Sequence, residues 1–280
     1  MIAWIAQHPY ITTGIALLVV LLFGAWFYYG NNALQVTHHH LATGRARGVR
    51  LVHLSDLHEK SFGRDNVRLR ALVAAQRPDL IVFTGDLVNR SSRHAARAAQ
   101  LLIDLARIAP VYFVPGNHEH GAGCLPALCR TLARGGVHVL RNRMETLRVG
   151  ESRVSLLGLD GPDAYPARVA RAFAALSSQR GLRIVLAHRP ELFAHKKGAH
   201  YCQHDFDLMC SGHAHGGQVI LPFVGGVIAP GQGLFPQYCR GLYHKDGRSL
   251  LVSRGLGNHV LVPRIFNRPE VGVLEIDMAT

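Results

Sequence analysis

Five cysteines in 280 residues, an odd number with no C-x-x-C pair and no disulfide-like spacing, give no basis for a disulfide-stapled scaffold. The pattern fits a compartment in which thiols stay reduced, and Cys210, at the end of an apolar run, reads as a small core residue. Acidic side chains are scarce as well: 18 Asp and Glu stand against 31 Lys and Arg, a formal net charge of +13. An excess of that size implies an anionic partner: nucleic acid, an acidic bilayer surface or a phosphorylated substrate. The basic residues are scattered and no nucleic-acid motif accompanies them, so nucleic acid is not expected as the ligand. Neither an internal repeat nor a domain linker interrupts the chain, which is long enough for one substantial core plus an appendage.

Charge is missing altogether from residues 11–29, ITTGIALLVVLLFGAWFYY. A helix of that length, at ~1.5 Å per residue, nearly crosses a hydrocarbon core of ~30 Å. Tyr10, Trp26, Tyr28 and Tyr29 sit at its ends, where aromatic belts belong. No Lys or Arg precedes the run and no small-x-small cleavage site follows it, which favours a retained anchor over a cleaved signal peptide. Arg45, Arg47 and Arg50 come after it, so the positive-inside rule puts the rest of the chain in the cytoplasm. The expected organisation is a single-pass anchor over residues 1–32 and a catalytic domain over 33–280, at the inner membrane.

Beyond the anchor, five apolar runs stop abruptly in residues that bind metals. Val49–Leu54 leads into Ser55-Asp56-Leu57-His58, residues 80–84 into Gly85-Asp86-Leu87-Val88-Asn89, and residues 111–114 into Pro115-Gly116-Asn117-His118-Glu119. Residues 184–187 end in His188, and residues 208–210 in Ser211-Gly212-His213-Ala214-His215. Such runs read as buried parallel strands, and ligands collect at their carboxyl ends. Helical spacing over residues 66–76 and 92–108, with Ser92 as a candidate N-cap and Pro78 and Pro110 past the ends, completes a β/α first half. After a helix ending near Arg134 come short strands at 137–140, 145–149 and 154–159, a helix at 167–176 and a strand at 182–188. The last third, with strands at 219–220, 241–244, 249–252 and 271–276, is strand-rich, and residues 33–39 could form an edge strand. The fold expected is α/β, two packed sheets with helices outside.

A phosphate ester and hydroxide are both anionic, so a catalyst of their reaction must neutralise charge; two metals ~3.5–4 Å apart, sharing a carboxylate, do so. Asp56 and His58 can turn toward one metal, Asp86 is the natural bridge, Asn117 offers an amide oxygen, and His188, His213 and His215 supply imidazoles. This donor set suits manganese, iron or zinc better than calcium, and the lack of a Cys ligand argues against structural zinc. His38, His39 and His40 would face alternate sides of a strand, and a solvated tract is the preferred reading. His94, His120, His138, His195, His200, His204, His244 and His259 have no motif context, with His120 nearest to the chemistry.

In this order, Asp56-x-His58, Gly85-Asp86, Gly116-Asn117-His118-Glu119, His188 and Gly212-His213-Ala214-His215 resemble the calcineurin-like metallophosphoesterase superfamily, over nearly all of residues 49–276. The resemblance implies a four-layer αββα sandwich with two divalent ions between the sheets, manganese foremost. It puts Asp56, His58, Asp86 and His215 on the first metal and Asp86, Asn117, His188 and His213 on the second. His118 would not be a ligand; with Asn117 it would face the scissile phosphate and stabilise charge or protonate the leaving oxygen. Asn89 would orient its loop, and Glu119 would support the ligands from behind. Ser55-Asp56-Leu57-His58, His215-Gly216-Gly217-Gln218, residues 230–236, Ser253-Arg254-Gly255-Leu256-Gly257 and Phe266-Asn267-Arg268-Pro269-Glu270 look like the membrane-associated phosphodiesterase branch. That branch includes lipid-directed enzymes and some forms of UDP-2,3-diacylglucosamine hydrolase, which serve lipid A synthesis.

The expected function is thus a membrane-anchored phosphohydrolase acting on a phosphodiester or pyrophosphate of a lipid-linked substrate. The bilayer is its expected partner. The alternatives are a nucleotide or nucleic-acid phosphodiesterase and a non-catalytic metal-binding scaffold. Residues 221–238, apolar and rich in Gly and Pro, either receive an acyl chain or touch the bilayer, or simply pack over the second sheet.

Overall fold

The computed structural model describes residues 8–92, 95–161, 166–194, 201–258 and 263–279. In chain order its strands are β1 Gln35–Thr43, β2 Val49–Leu54, β3 Leu80–Phe83, β4 Val111–Phe113, β5 His138–Val139, β6 Arg143–Val149, β7 Ser152–Gly158 and β8 Leu182–Leu186. They continue as β9 Leu208–Ser211, β10 Ile220–Leu221, β11 Gly225–Gly226, β12 Ile228–Ala229, β13 Gly233–Leu234, β14 Gly241–Lys245, β15 Arg248–Val252 and β16 Glu270–Met278. Two six-stranded sheets result, ordered β1-β16-β2-β3-β4-β5 and β14-β15-β9-β8-β7-β6. Strands β2 to β5 run parallel, as do β7, β8, β9 and β15, so the loops after β2, β3, β4, β8 and β9 gather at one edge.

Three apolar clusters define the layers. Leu51, Val82 and Tyr112 of the first sheet meet Leu156, Ile184 and Leu208 of the second across the sandwich. The other face of the first sheet packs on the helices Val67–Ala75, Ala95–Leu105 and Leu125–Arg134 through Leu69, Leu102 and Leu132. The other face of the second packs on the helix Pro166–Ser177 through Phe173 and Leu176. This is the expected αββα arrangement: each sheet is apolar on both faces and needs a cover on each.

The strand at 33–39 extends to Thr43 and pairs in parallel with β16, which runs antiparallel to β2. Its three histidines alternate in exposure, so no triple ligand forms, and none joins a metal-ligand cluster among the described residues. Ser92 donates to Glu59 through its hydroxyl; residues 93 and 94, between it and the first described helical residue Ala95, lie outside the described residues. Cys210 is wholly buried, and burial pushes its thiol pKa up.

The helix Pro9–Asn32 is apolar, has no acidic or basic residue in its terminal turns, and is long enough to cross a membrane. None of its most apolar window is buried by the rest of the protein, unlike a core helix. Its end is fixed. Asn31, 4% exposed, donates from Nδ2 to the Arg264 carbonyl (3.1 Å) and accepts on Oδ1 from Arg264 N and Asn258 Nδ2 (3.0 Å each). The Lys60 ammonium donates to the Asn31 carbonyl and to Asn258 Oδ1. Trp26 meets Phe266 edge-on at 5.4 Å, and Arg268 lies over Tyr29 while donating to the carbonyls of Ala33 and Leu34.

Candidate metal centre

Each expected ligand sits just past the end of its strand, Asn117 as the first residue of the short helix Asn117–Gly121, and the segments interlock because glycine precedes three of the candidate ligands. A Cβ on Gly212 would overlap Ser55 Oγ and an Asp56 oxygen; one on Gly85 would stand 2.6 Å from Gly116 N and 2.8 Å from His188 Nδ1. Asp56, His58, Asp86, His213 and His215 all adopt positive φ, between 47° and 66°. Left-handed backbone is unfavourable for such residues and persists where the surroundings over-determine it. Here the surroundings are hydrogen bonds: His213 N donates to both Asp56 oxygens at 3.0 Å, and His118 N donates to Asp86 Oδ1 at 2.8 Å.

The result is two adjoining groups. Asp56, His58 and His215 converge in one, Asp86, His188 and His213 in the other, each with ligand atoms within 4.8 Å of one another and all buried. His58 Nε2 lies 3.1 Å from His215 Nε2, which is 3.6 Å from Asp56 Oδ1. His188 Nε2 lies 3.1 Å from His213 Nδ1, 3.1 Å from Asn117 Oδ1 and 3.2 Å from Asp86 Oδ2. Asp86 Oδ2 is also 3.9 Å from His58 Nε2, so this carboxylate reaches both groups. His188 holds its Nδ1 against the Thr84 carbonyl (2.7 Å), which leaves Nε2 to face the cluster. His118 Nε2 stands 3.8 Å from Asp86 Oδ2, close enough for His58, Asp86 and His118 to form a third group.

Electrostatics agree with a cation site. Burial pushes Asp56 up to about 7, with Asp86 adding to the rise and His188 opposing it. Burial also opposes charge on Asp86, but the charge and hydrogen bond of His188, with His58 and His118, hold it well below the carboxylate range. Burial lowers His58 to about 4 and carries His213 and His215 well below the usual imidazole value. Two carboxylates and several desolvated imidazoles aimed at common points form a donor set suited to divalent ions.

Glu119, fully buried, accepts from the backbone N–H groups of Asp86, Val88 and Gly116 at 2.7–3.0 Å, and so pins two ligand turns from behind. Asn89 donates to the His58 carbonyl at 3.0 Å, fixing the first turn. Of the other histidines, His120 pairs with Asp160 (2.7 Å), His138 with Glu145 (2.6 Å) and His244 with Ser249 (3.0 Å), and His204 stacks on Phe173. His94, His195, His200 and His259 lie outside the described residues.

Sequence reasoning assigned no role to the residues that clamp the turns from the far end of the chain. Gly257 N donates to the Asp56 carbonyl, and Asn267 Nδ2 donates to the carbonyls of His215 and Gln218. Buried Arg264 approaches His215 Nδ1 at 3.5 Å and donates to the Gly257 carbonyl. Gly257 and Asn267 fall in stretches that carried the finer resemblance, which was their only signal.

Residues 221–238 are partly buried and partly exposed. Ala229 and Tyr238 are buried in the cluster under the second sheet. Leu221, Phe223, Val224, Ile228, Leu234 and Phe235 are exposed on two short hairpins, β10–β11 and β12–β13. The hairpins are braced on the turn that carries His215: Val227 N donates to the Gly217 carbonyl, and Gly217 packs so tightly on Gly226 that a Cβ on Gly217 would stand 2.4 Å from Gly226 Cα.

A two-sheet αββα core with paired Asp and His groups at its strand ends is that of a metallophosphoesterase. The chain belongs to the calcineurin-like phosphoesterase family, whose model matches residues 49–217, and is accordingly a hydrolase acting on phosphoester bonds. The uncharacterised metallophosphoesterase YkuE of Bacillus subtilis is 32% identical, over 82% of this chain and 79% of its own. Phosphodiesterase YaeI of Escherichia coli is 29% identical, over 91% of this chain and 92% of its own. Among solved structures, the NAD nucleotidase NadN of Haemophilus influenzae aligns with a TM-score of 0.51 at 15% identity, over 75% of this chain and 50% of that one; the likeness is one of fold alone.

Proposed function

We propose that the protein is a membrane-anchored phosphohydrolase that cleaves a phosphodiester or pyrophosphate bond of a lipid-linked substrate, such as UDP-2,3-diacylglucosamine. In this reading Asp56, His58, Asp86 and His215 hold one divalent ion, and Asp86, Asn117, His188 and His213 a second, with manganese preferred over iron or zinc. When bound, the ions supply neutralisation of the phosphate and activation of the attacking water. Hydrolysis joins the water oxygen to phosphorus and breaks the bond to the departing oxygen, which takes up a proton. His118, partly exposed and with Nε2 3.8 Å from Asp86 Oδ2, would hold that proton at Nε2. Asp160, paired with both His120 and Arg141, is engaged elsewhere.

The observation that carries the lipid reading is the pair of exposed apolar hairpins on the ligand turn, beside the anchored helix end at Trp26 and Phe266. Each buried methylene is worth ~0.8 kcal/mol, so a few of them separate a lipid from its deacylated analogue by orders of magnitude in kcat/KM. A manganese-supplemented panel of UDP-diacylglucosamine, phospholipids, cyclic nucleotides and a chromogenic diester, read by phosphorus NMR, tests this directly. Replacing Phe223 and Phe235 with Ser is expected to lower turnover of the preferred lipid at least ~10-fold more than that of the chromogenic diester. Equal losses on both, with circular dichroism intact, would assign the hairpins a structural role only.

The anchor is residues 1–32 and the catalytic domain 33–280, with the domain on the cytoplasmic side. Protein from intact cells should sediment with membranes and withstand protease added to spheroplasts. Digestion there, or release of a shortened soluble form, would overturn the topology.

A further inference from the structure

A cavity of about 380 Å³ opens beside the metal centre, lined by Asn117 and His188 of the centre and by Asn142, Arg168, Arg189 and Tyr201. The volume falls in the range of small-molecule sites, ~300–1,000 Å³. Arg189 directly follows the candidate ligand His188, is half-buried, and forms no ion pair among the described residues. A guanidinium with no carboxylate partner among the described residues is suited at the mouth of a hydrolytic site to an anion, which it can grip through two parallel N–H donors; the Asp160 carboxylate, which also lines the cavity, is paired with His120 and Arg141. Arg168, on the helix Pro166–Ser177, lines the same cavity. Asn142 accepts from Asp160 N through Oδ1, which leaves its amide NH₂ as a further donor, and His120 lines the cavity too.

The strand order gives this cavity a direction. It lies where β4, β7 and β8 end, toward the β5 and β6 edges of the two sheets. The helix Pro9–Asn32 enters the fold through β1, at the opposite edge of the first sheet, whereas the β12–β13 segment stands closer to the cavity, with Gly231 packed on Glu191 and Tyr238 edge-on to Phe193. The metal centre therefore stands between the helix-bearing edge and a cavity of mixed lining, in which Arg168 and Arg189 are joined by Asp160 and by the apolar Leu159 and Leu192.

We propose that this cavity binds the water-soluble arm of the substrate, that the arm carries its own negative charge, a second phosphate or a carboxylate, and that Arg189 selects for it. The proposal rests on the phosphohydrolase reading of the centre and adds to it the class of group joined to the scissile phosphate. A substrate of this kind has its anionic arm in the cavity and its apolar arm outside it.

The test uses the full chain in detergent micelles with manganese and a matched pair of octyl phosphodiesters, one with glycerol as its other arm and one with glycerol 3-phosphate. Phosphorus NMR counts every phosphorus-containing product, so cleavage of either ester bond registers. The wild type should favour the phosphorylated arm at least ~10-fold in kcat/KM, chiefly through KM. Arg189→Gln should reduce that preference to within about threefold, and Arg189→Lys should restore part of it, because a point charge attracts the anion without the fork geometry. No preference in the wild type, or equal losses on both diesters in Arg189→Gln, would overturn the cavity assignment and leave the phosphohydrolase standing. Turnover of neither diester by metal-loaded protein, together with inactivity across the wider substrate panel, would overturn both.

Discussion

Asp86→Ala should empty both halves of the metal centre. Its carboxylate reaches both clusters, 3.2 Å from His188 and 3.9 Å from His58, and its Oδ1 also receives the His118 backbone N–H. Bound manganese, measured on gel-filtered protein, should fall from about two per chain to well below one, and turnover by more than about 10⁴-fold. His118→Ala is the contrast: both metals stay, and the rate falls by ~10²–10⁴, the usual contribution of a positioned acid or base. If His118→Ala proves as metal-poor as Asp86→Ala, the division of roles is wrong. In wild-type protein, uptake should strengthen with rising pH. Burial disfavours a charged His188, but Asp86 outweighs it and lifts the imidazole to about 10 in the metal-free chain, so at neutral pH an incoming cation must displace that proton. Asp56, pushed up to about 7 by burial, adds competition of the same sign on the acid side. Calorimetry in buffers of different ionisation enthalpy should register proton release on binding, and affinity that is flat from pH 6 to 9 would contradict the argument.

Gly116→Ala should be nearly as damaging, although it removes no functional group. The new Cβ would overlap Asp86 Oδ1 and stand 2.6 Å from Asp86 N, both held by the turn that Glu119 pins. Backbone has to move, and overpacking of this kind costs ~1–3 kcal/mol in stability. A displacement near 1 Å at a reacting centre costs ~10²-fold in rate. Gly44→Ala is the control, since nothing lies within 4 Å of its Cβ position. Metal content, melting temperature and turnover should all fall in Gly116→Ala and stay at wild-type levels in Gly44→Ala. A fully loaded and active Gly116→Ala would show that the loops are not interlocked as described.

The strand ends were legible because each apolar run stops at the residue where the chemistry starts: Leu54 before Asp56, Phe83 before Asp86, Phe113 before Asn117. That pattern is local, and so were the helices after β2 and β3. The clamp around the centre is the opposite case. Arg264 and Asn31 are 233 residues apart, and Asn267 and His215 are 52 apart, so no periodicity links them. The insertion of β16 between β1 and β2 was hidden for the same reason, since a nine-residue apolar strand can pair with either neighbour or with both. Residues 221–238 held a composition suited to a core or to an exposed surface, and the folded chain uses part of the segment for each.

The bonds around Asn31 remove the slack that a tether would have. A flexible linker of n residues lets its cargo wander over ~5–6 Å × √n, whereas here the helix ends at Asn32 and β1 begins at Gln35, with the joint locked by Arg264, Asn258 and Lys60. For an enzyme anchored by this helix, the reactive centre rides at one altitude above the leaflet and meets only what diffuses laterally beneath it. If its substrate is a lipid, as proposed, catalysis becomes a planar process: its rate follows the mole fraction of substrate among the lipids of its own leaflet, and the molarity of substrate in the surrounding suspension ceases to matter.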